Sequence, residues 1–132
     1  MPVQLLLIED DARLCRSIET ALGPGYSITT AEAGAKALAV VGSCDPFDII
    51  LCEMQLPDMT AAELWHGLRA VSPEHGRRIL FLTAGILTPL ESDFARNVPN
   101  GVLLKPFTAS ELHRRVNQVL RRRGWAPHAT IP

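Results

Sequence analysis

Short apolar runs alternate with longer stretches of helical period along the whole chain, and no other feature constrains the fold as tightly. Val3 to Ile8 is apolar apart from Gln4, as a strand buried on both faces should be over most of its length. After the acidic Glu9-Asp10-Asp11, residues Leu14, Cys15, Ile18, Ala21 and Leu22 recur on one helical face, and Gly23-Pro24-Gly25 stops that helix. Tyr26 to Thr30 alternates and is β-branched, which predicts a second strand. Ala33 to Val41 is Ala-rich and reads as a second helix, ended by Gly42-Ser43 and Asp45-Pro46. Ile49 to Cys52, Ile79 to Leu82 and Val102 to Leu104 supply three more strands. Three helix starts share one local chemistry: Thr60-Ala61-Ala62-Glu63, Thr88-Pro89-Leu90-Glu91 and Thr108-Ala109-Ser110-Glu111 all read as capping boxes. The predicted buried faces are Leu64, Leu68 and Val71 in the third helix and Leu90 and Phe94 in the fourth. In the fifth they are Leu112, Val116, Val119 and Leu120. Five strands and five helices in alternation give a (βα)5 pattern, an α/β fold with a doubly wound five-stranded parallel sheet. Gly124 and Pro127 end the last helix after Arg123, which places the domain at 1–123 and a loose tail at 124–132.

A chain of 132 residues suits one such domain. Thirteen basic against fourteen acidic residues leave a net charge of -1, which argues against a whole-surface attraction to nucleic acid or anionic membrane. No apolar run approaches the ~20 residues of a membrane span, and no signal peptide is visible, so the expected location is cytoplasmic. Cys15, Cys44 and Cys52 show no CxxC spacing and read as reduced, buried small hydrophobes. His66, His75, His113 and His128 are too scattered for a zinc site. Arg114, Arg115 and Arg121-Arg122-Arg123 read as a solvated face at a helix C-terminus. Trp65 and Trp125 read as packing or tail residues rather than base-stacking platforms.

In an open parallel sheet, sites form beyond the carboxyl ends of the strands, near the point where strand order reverses. Glu9, Asp10 and Asp11 follow the first predicted strand, Glu53 the third, Thr83 the fourth, and Lys105-Pro106 the fifth. Two carboxylates about 5 Å apart repel by roughly 3 kcal/mol at an effective dielectric near 20. Raising one pKa, recruiting Lys105 or binding a cation would each relieve that repulsion. Oxygen ligands of this kind suit Mg2+, with the backbone carbonyl of Gln55 as a further neutral oxygen. A structural salt bridge between Glu53 and Lys105 without metal is the other reading. The bland readings are a helix cap for the acidic triplet, a strand residue for Thr83 and a turn for Lys105-Pro106. The acidic loop has the wrong sign to cradle a phosphate directly, and neither GxGxxG nor GxxxxGK[ST] occurs.

Four segments carry a family resemblance: Leu5-Leu6-Leu7-Ile8-Glu9-Asp10-Asp11, Asp48 through Met59, Phe81-Leu82-Thr83-Ala84 and Lys105-Pro106-Phe107. In this order and spacing they resemble the receiver domain of two-component response regulators, from about Val3 to Arg122. The resemblance implies a flavodoxin-like receiver fold and a non-enzymatic role in a phosphorelay, with phosphoryl transfer from a histidine kinase to an acidic side chain. It places Glu53 at the phosphoacceptor position. Thr83 matches the hydroxyl that grips the phosphoryl group, and Lys105 the amine that pairs with it. Mg2+ is implied at Glu9, Asp10, Glu53 and the Gln55 carbonyl, and a cis peptide at Lys105-Pro106.

Three departures matter. The family's acceptor is Asp, and Glu53 is longer by one methylene, roughly 1.5 Å. A misplacement of about 1 Å can cost ~100-fold in rate, so little or no phosphotransfer is expected. Glu53 would instead hold a permanent negative charge near Lys105, partly mimicking the phosphorylated state. Val102 stands where the family often has an aromatic, and Ala61 where a Gly commonly follows the acceptor loop. Met59 to Ala62, Phe81 to Gly85 and Asn97 to Phe107 look most like receivers appended to hybrid sensor histidine kinases. The expected function is therefore signalling through protein contacts, independent of normal phosphorylation. The alternative is a working acceptor that takes phosphate from a histidine kinase on Glu53 with Mg2+. Expected partners are a sensor histidine kinase or another signalling protein, and a second copy through the face of the fourth helix, fifth strand and fifth helix.

Overall fold

The computed structural model of the protein describes residues 2–43 and 46–122. Five strands, β1 (Val3–Ile8), β2 (Tyr26–Ala31), β3 (Ile49–Glu53), β4 (Ile79–Thr83) and β5 (Val102–Leu104), form one parallel sheet in the order β2-β1-β3-β4-β5. Among the described residues there are six helices: α1 (Ala12–Leu22), α2 (Gly34–Ser43), α3 (Ala61–Val71), α4 (His75–Arg78), α5 (Pro89–Asn97) and α6 (Ala109–Arg122). The expected tail at 124–132, with Trp125, lies outside the described residues, as do Cys44 and Arg123.

The strands are apolar because both faces of the sheet are covered. Every residue of β3 and β4 is buried. Side chains alternate between the two faces. Leu6, Ile8, Ile50, Cys52 and Phe81 pack with Ala37 and Val41 of α2 and Leu64 and Leu68 of α3. Leu5, Leu7, Ile49, Leu51, Leu80 and Leu82 pack on the opposite side with Ile18 and Leu22 of α1. The fully predicted face of α6, Leu112, Val116, Val119 and Leu120, closes that second layer. Each such side chain stabilises the fold by roughly 1.5–3 kcal/mol relative to exposure.

All three predicted capping boxes form. Thr60, Thr88 and Thr108 each accept the backbone N–H of the Glu three residues on, and each Glu accepts the Thr N–H in return. The start of α2 is different. The Asp58 carboxylate, from the loop after β3, accepts the N–H groups of Gly34 and Ala35, each at 2.9 Å. These two backbone bonds hold the Asp58 carboxyl below its usual range. This cap comes from a distant segment, which is why the helix begins one residue later than its local pattern predicts and runs on through Ser43. Gly34 also allows a close approach: a Cβ there would lie 2.5 Å from the Met59 sulfur.

Three expectations need correction. The helix count rises from five to six because α4 is a four-residue turn, too short to show a period. The turn is held by buried His75, whose Nδ1 donates to the Leu68 carbonyl at 3.0 Å, at the end of α3. Val71, expected in the core, is 47% exposed on the last turn of α3. Leu90, also expected in the core, is 83% exposed. Helix α5 has no fully buried residue and covers the sheet through Phe94, which stacks edge-on against Phe81 and Trp65. Periodicity marks an apolar face but not how closely that face approaches the sheet.

Asn100 ties the edge of the sheet together. Its side-chain amide donates to the carbonyls of Arg77 (2.9 Å) and Ile79 (2.8 Å), while its oxygen accepts from Arg122. Asn100→Ala strands those carbonyls, so a loss of about 2–3 kcal/mol in urea unfolding is expected. A loss below half a kilocalorie would show that water replaces the amide.

Candidate functional site

Strand order reverses between β1 and β3, and a crevice opens at the carboxyl ends of the strands there. The register dictates what lines it. Ile8 is aligned with Cys52, so Glu9 leaves β1 beside Glu53, the last residue of β3. Glu53 is aligned with Leu82, one residue before Thr83. Thr83 is aligned with Leu104, and its carbonyl accepts the Lys105 N–H at 2.8 Å. Four strand ends thus bring Glu9, Glu53, Thr83 and Lys105 to one rim, and the Lys105-Pro106 peptide is cis.

Lys105 organises the rim. Its ammonium donates to Glu9 Oε2 at 3.2 Å and also to Glu53 Oε2. The other oxygens are engaged as well: Glu9 Oε1 accepts the Asp11 N–H at 3.2 Å, and Glu53 Oε1 accepts the Gln55 N–H at 3.1 Å. Glu9, Glu53 and Thr83 are buried, at 4%, 5% and 1% exposure. Burial pushes the Glu9 carboxyl up from its usual range; Lys105 partly offsets this, and the charge of Glu53 adds to it. Burial works against the Lys105 ammonium too. The hydrogen bond and charge of Glu53, then those of Glu9, outweigh it and leave the Lys105 pKa raised. A single amine shared by two buried carboxylates thus offsets part of their mutual repulsion.

The acidic triplet divides its tasks. Asp11 caps α1, accepting the N–H groups of Arg13 (2.9 Å) and Leu14 (3.3 Å). Asp10 stays exposed, and Glu9 turns inward. Gln55 forms an isolated antiparallel bridge with Thr60. The expected Mg2+ set of Glu9, Asp10, Glu53 and Gln55 does not fit a divalent ion as arranged. Among the described residues no three His, Cys, Asp or Glu side chains come together as a metal cage, and the ammonium of Lys105 already bonds both buried carboxylates.

Sequence reasoning missed Asp58, whose role is to anchor the loop after β3 onto α2. Its only signal was an acid in a loop with no local partner. Cys52 is buried in the core and its thiol is pushed well above the usual range, first by burial and then by Glu53. Cys15 is only half-buried, and its sulfur lies 3.7 Å from the Glu9 carbonyl. No helix among the described residues is long and apolar enough to cross a membrane.

The doubly wound parallel sheet thus gathers Glu9, Glu53, Thr83 and Lys105 at its carboxyl rim. Residues 5–117 match the response regulator receiver domain, and the chain belongs to that family of two-component signalling proteins. It is 33% identical over 126 residues to the "Probable transcriptional regulatory protein TcrX" of Mycobacterium tuberculosis, covering 93% of this chain and 52% of that protein. It is 32% identical over 124 residues to the cell cycle response regulator CtrA of Brucella ovis, covering 91% and 51%. The chain therefore spans about half the length of the curated relatives it matches. Its fold superposes on the chemotaxis response regulator CheY4 of Vibrio cholerae with a TM-score of 0.77 and 27% identity, covering 91% of this chain and all of the other. The (βα)5 flavodoxin-like fold is thereby established.

Proposed function

We propose that this receiver domain signals through protein–protein contacts independently of normal aspartyl phosphorylation, with Glu53 in place of the acceptor Asp. The observation that carries this reading is the Lys105 ammonium bonded to both Glu53 and Glu9. In a phosphoacceptor site the amine pairs with the incoming phosphoryl group, whose equatorial charge it neutralises. Here the Glu53 carboxylate already supplies an anion to that amine. The longer side chain thus acts as a fixed, partial substitute for the phosphorylated state, and Thr83 is the hydroxyl on the same rim that would close toward it. Mg2+ at Asp10, Glu53 and the Gln55 carbonyl would require Lys105 to leave its seat.

The output surface of this reading is the side formed by the β4–α5 loop, α5, β5 and α6. Ile86, Leu90 and Leu104 are exposed there at 98%, 83% and 62%. Apolar side chains left open to water in this way suit a protein partner. The partner classes are a sensor histidine kinase, another signalling protein or a second copy of the chain. The resemblance to receivers of hybrid kinases fits a domain that works inside a larger assembly.

Incubation with a small phosphodonor and Mg2+, followed by intact-mass measurement, tests the proposal. No covalent adduct is expected. A stoichiometric, hydroxylamine-labile adduct on Glu53 would establish the working acceptor instead.

A further inference from the structure

A second charged constellation lies at the opposite end of β5 from Lys105. A surface cavity of about 440 Å³ is lined by Arg96, Arg114, Arg115 and Arg122, together with Asn100 and Gly101. None of its described lining residues is acidic. Arg96 comes from α5 and the other three from two turns of α6, about two helical turns apart, so the chain folds like charges together. Two of the four have nearby acids: Arg96 pairs with Asp93 at 3.2 Å, and Arg114 helps to lower the Glu111 carboxyl. The other two are held by neutral oxygens. Arg115 donates to the carbonyls of Asn100 (2.8 Å) and Val102 (3.2 Å). Arg122 donates to the Pro99 carbonyl (2.7 Å) and to Asn100 Oδ1 (3.2 Å). Carbonyls orient a guanidinium but do not cancel its charge, so among the described residues two positive charges on this cavity have no acidic partner. Burial, then the charges of Arg114 and Arg122, hold the Arg115 pKa below its ordinary value, as expected of crowded cations.

We infer that this arginine cavity is a binding site for a phosphate dianion, either free or carried as a monoester. The excess of two charges matches a dianion, and the planar N–H fork of Arg matches phosphate oxygens. A phosphodiester, with one charge, satisfies only half of the excess, which sets the site apart from a nucleic-acid backbone contact. The inference rests on residues remote from Glu53 and stands independently of the proposed function.

The test is an NMR titration of the 15N-labelled full chain at constant ionic strength and about pH 8, where phosphate monoesters are dianionic. Three probes are compared: inorganic phosphate, phosphoserine and dimethyl phosphate. Saturable shifts at the Asn100 and Gly101 amides are expected with the first two and not with the third. Tighter binding of phosphoserine identifies a phosphorylated side chain as the source; tighter binding of inorganic phosphate identifies the free ion. Arg122→Gln is expected to weaken binding by roughly tenfold, with Arg122→Lys recovering most of it. If Arg122→Gln fails to fold, Arg115→Gln, which removes the other of the two charges held only by neutral oxygens, gives the same readout. Equal, non-saturating shifts with all three anions would overturn the inference. So would dimethyl phosphate binding as tightly as phosphate, or unchanged affinity in the folded Gln variant.

Discussion

Lys105→Met is expected to lower the folding free energy by about 3–5 kcal/mol, because it leaves two buried carboxylates without their shared cation. Glu9 and Glu53 are 2% and 7% exposed at the side chain, so water cannot take over the role of the ammonium. The loss has a characteristic pH dependence. Lys105 has its pKa raised above the ordinary 10.5. Its contribution is therefore complete below pH 10.5 and fades as pH rises through the folded-state value. Urea midpoints of the natural chain and Lys105→Met should differ most near neutrality and converge above the folded-state value. The comparison within a pair removes the alkaline contributions of Cys52 and Tyr26, which both chains share. A gap that stays constant to the highest pH would show that Lys105 acts through packing of its methylenes rather than through charge. Adding Glu53→Gln to Lys105→Met should recover part of the stability, because one unpaired buried charge is then removed.

Glu53→Asp is the second large effect expected: a change from no adduct to stoichiometric phosphorylation by a small phosphodonor with Mg2+. Shortening the side chain by roughly 1.5 Å withdraws the carboxylate from Lys105 and opens the space that a phosphoryl group needs. Thr83 and Lys105 are already placed at the rim by the sheet, and Asp10 follows β1 next to Glu9. A productive site requires positioning to within about 1 Å, so one methylene is enough to separate an inert rim from a working one. Intact mass before and after neutral hydroxylamine, which cleaves an acyl phosphate, reads the result. An Asp variant that remains unmodified, while folded, would move the cause of inactivity away from residue 53.

Much of the fold was legible because parallel strands covered on both faces appear as uninterrupted apolar runs. Leu5-Leu6-Leu7-Ile8 and Ile49-Ile50-Leu51-Cys52 cannot be half-exposed strands, and the capping boxes at Thr60, Thr88 and Thr108 are local chemistry. The rim was legible for the same reason: once the strands are known, the residue after each strand is known. What remained open was set by distances that no pattern encodes. Whether Lys105 or a metal would sit between Glu9 and Glu53 depends on the reach of one extra methylene. The Asp58 cap on α2 and the Asn100 bonds to Arg77 and Ile79 join segments more than twenty residues apart. The exposure of Leu90 depends on how far α5 stands off the sheet. The arginines of α6 read as a solvated face because nothing in their own helix shows that Arg96 and the Asn100 turn come to meet them.

The seat between Glu9 and Glu53 is the point on which the functional reading turns, and a crystal structure grown in saturating Mg2+ examines it directly. The expected density shows the Lys105 ammonium bonded to both carboxylates, with no ion among Asp10, Glu53 and the Gln55 carbonyl. An ion coordinated by those three groups, with Lys105 swung away from Glu53, would contradict it.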